Sequence, residues 1–142
     1  MPLISITRLR VRSWRFFPAF AWSSFRCIRQ AQRSRGYLGG KTYADARLTF
    51  WTATAWADEQ AMAAYRSAEP HRSAMRRLAH WCDEASVAHW PSDETSLPGL
   101  EQVHRWMCER GRPSRVDHPS PRHAAMQLAP PASRGERYWP AV

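Results

Sequence analysis

Residues 47–81 constrain the fold more than any other part of the sequence, because a strand pattern there runs directly into a helix pattern. In residues 47–56 (RLTFWTATAW), aromatic and β-branched side chains alternate between two faces, which is typical of a β-strand. Asp58 follows in a position suited to cap a helix, and Glu59 lies in the predicted first turn. Pro70 then predicts a break, with a second helical piece over residues 70–80.

The remaining patterns add three strands and two helices. Residues 3–11 alternate as a strand, and residues 37–43 and 85–90 form shorter ones. A helix is predicted from about residue 16 to residue 33, with a stop at Gly36. Its apolar stripe at helical spacing comprises Phe17, Phe20, Ala21, Ser24, Phe25 and Ile28. A last helix begins around Ser96 and Pro98, runs to Arg110 and stops at Gly111.

This order of elements predicts an α+β, ferredoxin-like fold, βαββαβ, with an extra C-terminal helix. Such a fold has a four-stranded antiparallel sheet with its helices on one face. The other face of the sheet would carry large groups such as Trp51 or Trp56, and it must be buried somewhere. Pairing two sheets in a dimeric α/β barrel buries it, so we predict a homodimer.

The composition divides the chain into one domain and a tail. With 142 residues, of which 44% are hydrophobic, the chain can build one core, which we place in residues 1–111 together with the added helix. Residues 112–142 are rich in Pro, Arg, Ser and Ala and lack a sustained apolar period. We predict a loosely ordered tail there, laid over the domain by Tyr138 and Trp139.

The basic residues are concentrated at the start of the chain. Residues 1–44 contain eight Arg and Lys41 but no acidic residue, and these nine charges equal the net charge of +9. A nucleic acid, an anionic ligand or a transit peptide would each fit such a block, as would an arginine-rich genome composition. Because no nucleic-acid-binding motif accompanies the charge, we do not expect a nucleic-acid partner.

Two further observations concern the location of the protein in the cell. No apolar run approaches the roughly eighteen residues that a membrane span needs, so none is predicted. The three cysteines, Cys27, Cys82 and Cys108, are odd in number and widely spaced, which predicts a reducing cytoplasm rather than a disulfide framework.

Three stretches resemble a known superfamily. FWTATAWADEQAMAAY (residues 50–65) resembles the strand-to-helix junction of dimeric α/β-barrel proteins, which include antibiotic biosynthesis monooxygenases. AYRSAEPHRSAMRRLAHW (residues 64–81) is similar to the spheroidene monooxygenase group and to a related bacterial family of unknown function, through Pro70-His71, Met75 and Trp81. SLPGLEQVHRWMCERGRPS (residues 96–114) resembles the helix that follows the sheet in the unknown-function family.

The resemblance covers residues 3–116 and implies both a fold and an activity. It implies a homodimeric barrel and a monooxygenase acting on a hydrophobic or aromatic small molecule in bacterial secondary metabolism. Oxygen would be activated by the substrate itself, with no cofactor, or by haem. The alternative is a non-catalytic small-molecule-binding or sensing dimer of the same fold.

His71 is the main candidate for the site. With Met75, Leu78 and Cys82 it recurs at helical spacing, and near a helix N-terminus the dipole lowers the pKa of its imidazole. A neutral His71 can act as base or hydrogen-bond donor, and as the metal ligand if haem is bound. The alternative is a buried histidine that bridges backbone groups. The predicted catalytic set is His71, Arg72 and Thr54, and the predicted substrate-binding set is Trp51, Trp56, Tyr65 and Met75.

Other signals predict no chemistry. Haem-degrading relatives have a Trp ten residues before the iron-binding His, where this chain has Tyr65 and Met75. Asp83 and Glu84 are adjacent, so we expect their carboxylates to point apart rather than to form an acid-base pair. His118 and His123 lack further ligands, and zinc is not expected. No phosphate loop, dinucleotide fingerprint or nucleophile elbow occurs.

Overall fold

In the computed structural model, which describes residues 1–93 and 96–142, six strands form one antiparallel sheet with four α-helices around it. The elements in chain order are β1 (Leu3–Val11), α1 (Phe17–Gln32), β2 (Tyr37–Ala44), β3 (Thr49–Trp56), α2 (Glu59–Ser67), α3 (His71–Trp81), β4 (Cys82–Pro91), α4 (Leu100–Arg110), β5 (Arg112–Pro113) and β6 (Gly135–Trp139).

The sheet confirms the ferredoxin-like prediction and extends it. The strand order is β5-β4-β1-β3-β2-β6, so the central four strands have the order expected for βαββαβ. Two more strands from the end of the chain occupy the edges, β5 beside β4 and β6 beside β2. The four-stranded prediction missed them because short, largely exposed edge strands carry no apolar period.

Local chemistry explains where the central elements begin and end. Asp58 caps α2 as predicted, and its carboxylate accepts a hydrogen bond from the Ala61 amide at 2.8 Å. β3 starts at Thr49 rather than at residue 47, because Arg47 and Leu48 have φ values of 59° and 58° and form the turn after β2. Gly36 has a φ of +85° and packs closely on Ala61, so no side chain fits there.

Helices cover both faces of the sheet. We call the face under α1, α2 and α3 the α1 face, where Leu3 and Trp56 pack with Met62, and Val11 packs with Phe20. We call the opposite face the α4 face. Its core contains Ile4, Ile6, Tyr43, Trp51, Ala53, Ala88, Leu100, Val103 and Met107, with Met126 and Leu128 of the tail packed against it.

The prediction that the helices leave one sheet face bare is therefore wrong. α4, through Val103 and Met107, and the tail of the same chain cover the second face, where Ile6 and Trp51 are each 0% exposed. The physical reason for expecting a second copy on that face is removed, and the homodimer stays a prediction.

The tail beyond residue 112 reaches both edges of the sheet. The Ser114 amide donates to the Ala85 carbonyl at 2.8 Å, and the Arg134 amide donates to the Ala44 carbonyl at 2.7 Å. Tyr138 and Trp139 lie in β6, opposite Lys41 and Gly40 of β2. None of the helices in residues 1–93 and 96–142 is long and apolar enough to cross a membrane.

Candidate functional site

A cavity of about 380 Å³ lies between α1 and the α1 face of the sheet. This volume falls within the range of small-molecule sites. Its wall is supplied by α1, by the strands β1, β2 and β3, and by β6. The residues that line it are Leu9, Phe17, Phe20, Ala21, Ser24, Phe25, Ile28, Thr42, Tyr43, Ala44, Phe50, Trp51, Thr52, Arg134, Gly135, Glu136, Arg137 and Trp139.

Aromatic rings form the inner wall. The Phe50 ring on β3 stacks on Phe17 with a centroid separation of 5.6 Å, and it meets Phe20 at 5.3 Å. All six members of the predicted apolar stripe on α1 line the cavity. The stripe points to the sheet because helical spacing places these side chains on one face. The wall suits a flat, apolar ligand.

β6 closes the cavity on the side of β2. The Trp139 indole nitrogen donates to Thr42 Oγ1 at 3.0 Å, and its ring meets Phe25 edge-on at 6.3 Å. The Arg137 guanidinium lies 4.2 Å from the centre of the Trp139 ring. Sequence reasoning missed this wall because it treated residues 112–142 as a loose tail. The pair Tyr138-Trp139 was the one signal that could have found it.

The polar groups of the cavity are few. Ser24, Thr42 and Thr52 offer hydroxyl groups, and Arg134 and Arg137 add two cations from the exposed segment. The carboxylate of Glu136 is 3.4 Å from Lys41 Nζ, which offsets its charge. Chemically, the cavity can hold an aromatic ring and stabilise an anionic oxygen on it.

His71 lies elsewhere, at the end of an aromatic stack. Trp56 stacks on Tyr65 at 5.0 Å, and Tyr65 meets the His71 ring at 4.7 Å, and none of the three residues lines the cavity. The His71 amide donates to Gln30 Oε1 at 2.9 Å, while its Nδ1 is 3.2 Å from the Arg66 carbonyl oxygen. Burial lowers the pKa of His71, in the direction predicted. The geometry matches the alternative in which the histidine bridges backbone groups.

The other predicted residues are also dispersed. Trp51 contributes to the cavity wall, but its indole belongs to the core on the α4 face and donates to Asp45 Oδ2 at 3.0 Å. Thr54 Oγ1 accepts a hydrogen bond from the Trp56 indole at 2.9 Å. Arg72 is exposed and pairs with Glu69 at 3.0 Å. Met75 is 48% exposed, so the predicted apolar face of α3 does not extend to it.

A buried ionic cluster on the α4 face was not predicted. Arg8 Nη1 donates to Glu84 Oε1 at 2.7 Å, and Arg10 Nη1 lies 3.2 Å from Glu84 Oε2 and 3.3 Å from Asp83 Oδ2. The expectation that Asp83 and Glu84 point apart is therefore wrong, because both carboxylates reach Arg10. A bulge explains this: Arg10 pairs with Glu84 and Val11 pairs with Cys82, so Asp83 is an extra residue.

The two carboxylates of this cluster have opposite pKa shifts. Burial raises the pKa of Asp83, and the charge of Arg10 only partly opposes it. Burial also acts to raise the pKa of Glu84, but hydrogen bonds from Arg8 and Ser120 outweigh it, and the net pKa is lowered. The lowered pKa favours the carboxylate form of Glu84, which is the form that pairs with Arg8.

Metal ligands do not cluster in the part of the chain that the structure describes. No group of three or more His, Cys, Asp or Glu residues there is arranged to hold a metal ion. The His118 ring meets His80 at 5.8 Å, and His123 Nδ1 is 3.4 Å from the Ala85 amide, which donates to it.

Comparison with known proteins identifies the fold. No protein-family model matches the chain, and no curated protein matches it. Solved structures do match. The oxygenase SnoaB of Streptomyces nogalater (N63A mutant), which is cofactor-independent, aligns with a TM-score of 0.54 at 14% identity, over 69% of this chain and 98% of that one.

Two other solved structures align over similar lengths. Rv0793 of Mycobacterium tuberculosis aligns with a TM-score of 0.61 at 16% identity, over 68% of this chain and 100% of that one. A Nitrosomonas europaea protein named as a candidate antibiotic biosynthesis monooxygenase aligns with a TM-score of 0.56 at 14% identity. The alignment covers 68% of this chain and 94% of that one. At such identities the likeness shows the fold alone. The chain therefore shares its ferredoxin-like α+β fold with these solved structures.

Proposed function

We propose that this protein is a monooxygenase-type enzyme that oxidises a flat, hydrophobic or aromatic small molecule in the cavity between α1 and the sheet. The observation that carries the proposal is the cavity itself, which is walled by Phe17, Phe20 and Phe50 and has the cation Arg137 at its edge. The shared fold with SnoaB, a cofactor-independent oxygenase, supports the same reaction class.

A quinol substrate makes the oxygen chemistry self-sufficient. A quinol and O₂ give a hydroxyquinone and water, with one oxygen atom in each product. The quinol loses four electrons and O₂ accepts four, so no external reductant is needed. The protein must then bind the ring, favour the quinolate anion and exclude water. We assign the first task to the phenylalanine walls and the second to Arg137, with Thr42 and Thr52 orienting the substrate oxygens.

Haem does not fit this cavity. Among the described residues that line it there is no histidine, cysteine or methionine, and these are common axial ligands of haem iron. The hydroxyl of Tyr43, which also lines it, donates to the Pro98 carbonyl at 2.6 Å. His71 lies outside the cavity, with Nδ1 against the Arg66 carbonyl. We therefore propose a cofactor-independent reaction and assign no step to haem.

The rival function is a non-catalytic binding or sensing protein with the same cavity. One observation favours it: the described lining has no histidine, and its carboxylate Glu136 is paired with Lys41. Binding or sensing needs no base in the cavity, so this lining suits the rival as well. As part of the proposal we keep the cytoplasmic location, to which the three free cysteines are suited, and the homodimer, which the resemblance implies.

Oxygen uptake with a panel of quinols and polyenes tests the proposal. We expect consumption of one O₂ per quinol and a product that has gained one oxygen and lost two hydrogens. Arg137→Met should lower kcat about tenfold to a hundredfold, because a charge-stabilising donor is lost. The matched control Arg105→Met, at an exposed position of α4, should leave kcat unchanged. Binding of the panel without any oxygen uptake would establish the rival, and a Soret band in the purified protein would contradict the cofactor-independent reaction.

A further inference from the structure

Three aromatic side chains stand out from the surface at and just before α1. Trp14 is 72% exposed, Trp22 is 63% exposed and Phe25 is 45% exposed. The Trp22 and Phe25 rings stack on each other at 6.0 Å on the outer side of the helix. Large aromatic groups exposed together on a protein surface commonly mark an interaction site.

Exposed arginines occur on the same segment as these rings and on the neighbouring helix α3. Arg15, Arg26 and Arg33 are exposed on the same segment, and α3, which packs beside α1, adds exposed Arg76 and Arg77. Burial raises the pKa of the Cys27 thiol on α1 to about 11, and the charges of Arg26 and Arg77 oppose that rise. Arg26 and Arg77 belong to α1 and α3, two helices that pack against each other.

Little negative charge accompanies this surface. Residues 1–44 contain no acidic residue. Glu69 also acts on Cys27, but its carboxylate is paired with Arg72 at 3.0 Å. The outer face of α1 and α3 is therefore both aromatic and positively charged, which is the chemistry that bilayer surfaces with anionic headgroups select.

We propose that this aromatic and basic face, formed by Trp14, Trp22, Phe25, Arg26 and Arg77, binds the surface of an anionic lipid bilayer. The indole and phenyl rings would insert at the level of the headgroups, and the guanidinium groups would pair with lipid phosphates. α1 would lie along the bilayer surface, with the other members of its inner stripe still packed over the cavity.

Two other partners suit the face less well. A second copy of the chain would place arginines against arginines, because both copies carry the same positive surface. A single-stranded nucleic acid is usually held in a groove that follows its backbone, whereas the Trp22 and Phe25 rings stack on each other and leave no gap between them for a base.

The face also adjoins the cavity. Phe25 belongs to both: it stacks on Trp22 outside and meets Trp139 of the cavity wall at 6.3 Å. A lipophilic substrate could therefore pass from the bilayer into the cavity beside Phe25. This route rests on the proposed function, whereas the binding of the bilayer does not.

Vesicle flotation tests the bilayer surface. We expect the full chain to float with phosphatidylglycerol vesicles, to float poorly with phosphatidylcholine vesicles, and to detach as salt is raised. Trp14→Ala with Trp22→Ala should weaken partitioning at least about tenfold. Arg26→Gln with Arg77→Gln should weaken it by about fivefold per arginine. Two control variants should bind the vesicles as the wild-type protein does. The first combines Arg105→Gln on α4 with Arg112→Gln on β5, and the second is Leu38→Ala on β2.

Several outcomes would overturn the proposal. One is that the wild-type protein does not float with phosphatidylglycerol vesicles. Another is that the two double arginine variants lose vesicle binding to the same extent. A third is that the protein retards oligonucleotides in a gel but does not float with vesicles. Circular dichroism and a thermal melt show whether each variant is folded. Oxygen uptake with a detergent-solubilised quinol should be unchanged in the double tryptophan variant. If no quinol is oxidised but flotation responds as expected, the proposed reaction fails and the bilayer surface stands.

Discussion

At the scale of single residues, the buried Arg8–Glu84 ion pair is the feature of the core that depends most on both of its partners being present. Both side chains are almost fully buried, and their charged atoms are 2.7 Å apart. Arg8 also lies over the Trp51 ring at 5.6 Å, which links the ion pair to the core on the α4 face. Removing one partner would leave an uncompensated charge in a poorly solvated site.

We expect Glu84→Gln to lower the free energy of unfolding by about 3–5 kcal/mol, because Arg8 stays buried without its counter-charge. Glu136→Gln, which breaks the exposed pair with Lys41, should cost about 1 kcal/mol or less. The lowered pKa of Glu84 means that its contribution is present above the unfolded pKa of about 4.5 and is lost as pH falls through the folded value. The raised pKa of Asp83 acts in the opposite direction and partly offsets this loss.

Urea denaturation between pH 3 and pH 7 measures these effects. The wild-type protein should lose stability faster than Glu84→Gln as pH falls below about 4.5. Parallel stability curves for the two proteins over this range would show that Glu84 is not held as a carboxylate by Arg8 and Ser120.

At the scale of elements, β6 turns an open helix-to-sheet junction into a cavity. Its alternation sends successive side chains to opposite sides, so Trp139 contacts Thr42 and Phe25 while its neighbour Tyr138 is 55% exposed. Tyr138 is therefore a matched control for Trp139. Both are large aromatic residues on one strand, but only Trp139 of the two lines the cavity.

Trp139→Ala should raise the dissociation constant of a cavity ligand about tenfold and lower the free energy of unfolding by about 1–3 kcal/mol, since a partly buried indole and its hydrogen bond are lost. Tyr138→Ala should change the affinity less than twofold. Calorimetric titration of both variants with one quinol under anaerobic conditions measures the difference. Equal affinities in the two variants would mean that β6 does not form part of the site.

Periodicity explains which elements could be predicted. β1, β3 and α1 have clear apolar faces and α2 begins at the Asp58 cap, so their positions follow from the sequence. β5 and β6 do not, because edge strands with mostly exposed residues lack that signal. The bulge at Asp83 has no marker in the sequence either, since it depends on the register between β1 and β4.

At the scale of the whole molecule, the site could be predicted only in part. The α1 stripe, from Phe17 to Ile28, is a wall of the cavity, and its orientation follows from helical spacing. The partners of that wall come from β3 and from β6, which lies about 110 residues later in the chain. No local pattern shows that these segments meet, so the sequence predicted a site within residues 47–81 instead.

Two contacts between elements far apart in the chain explain why predicted site residues lie outside the cavity or in the core. α4 folds over the second sheet face, so the Trp51 indole packs in the core there, although the residue also lines the cavity. α3 packs beside α1, which places His71 against Tyr65 and Gln30. These are tertiary arrangements, and the spacing of His71, Met75 and Leu78 alone does not specify them.

The central claim is that ligands bind between α1 and the sheet and not beside His71. Its most direct test is the dissociation constant of one quinol, measured calorimetrically for the wild-type protein, Ser24→Trp and His71→Ala. Ser24 lines the cavity from α1, so an indole there should fill it and weaken binding at least about tenfold. His71→Ala should bind as wild type while losing some thermal stability. Unchanged affinity in Ser24→Trp together with lost affinity in His71→Ala would contradict the claim.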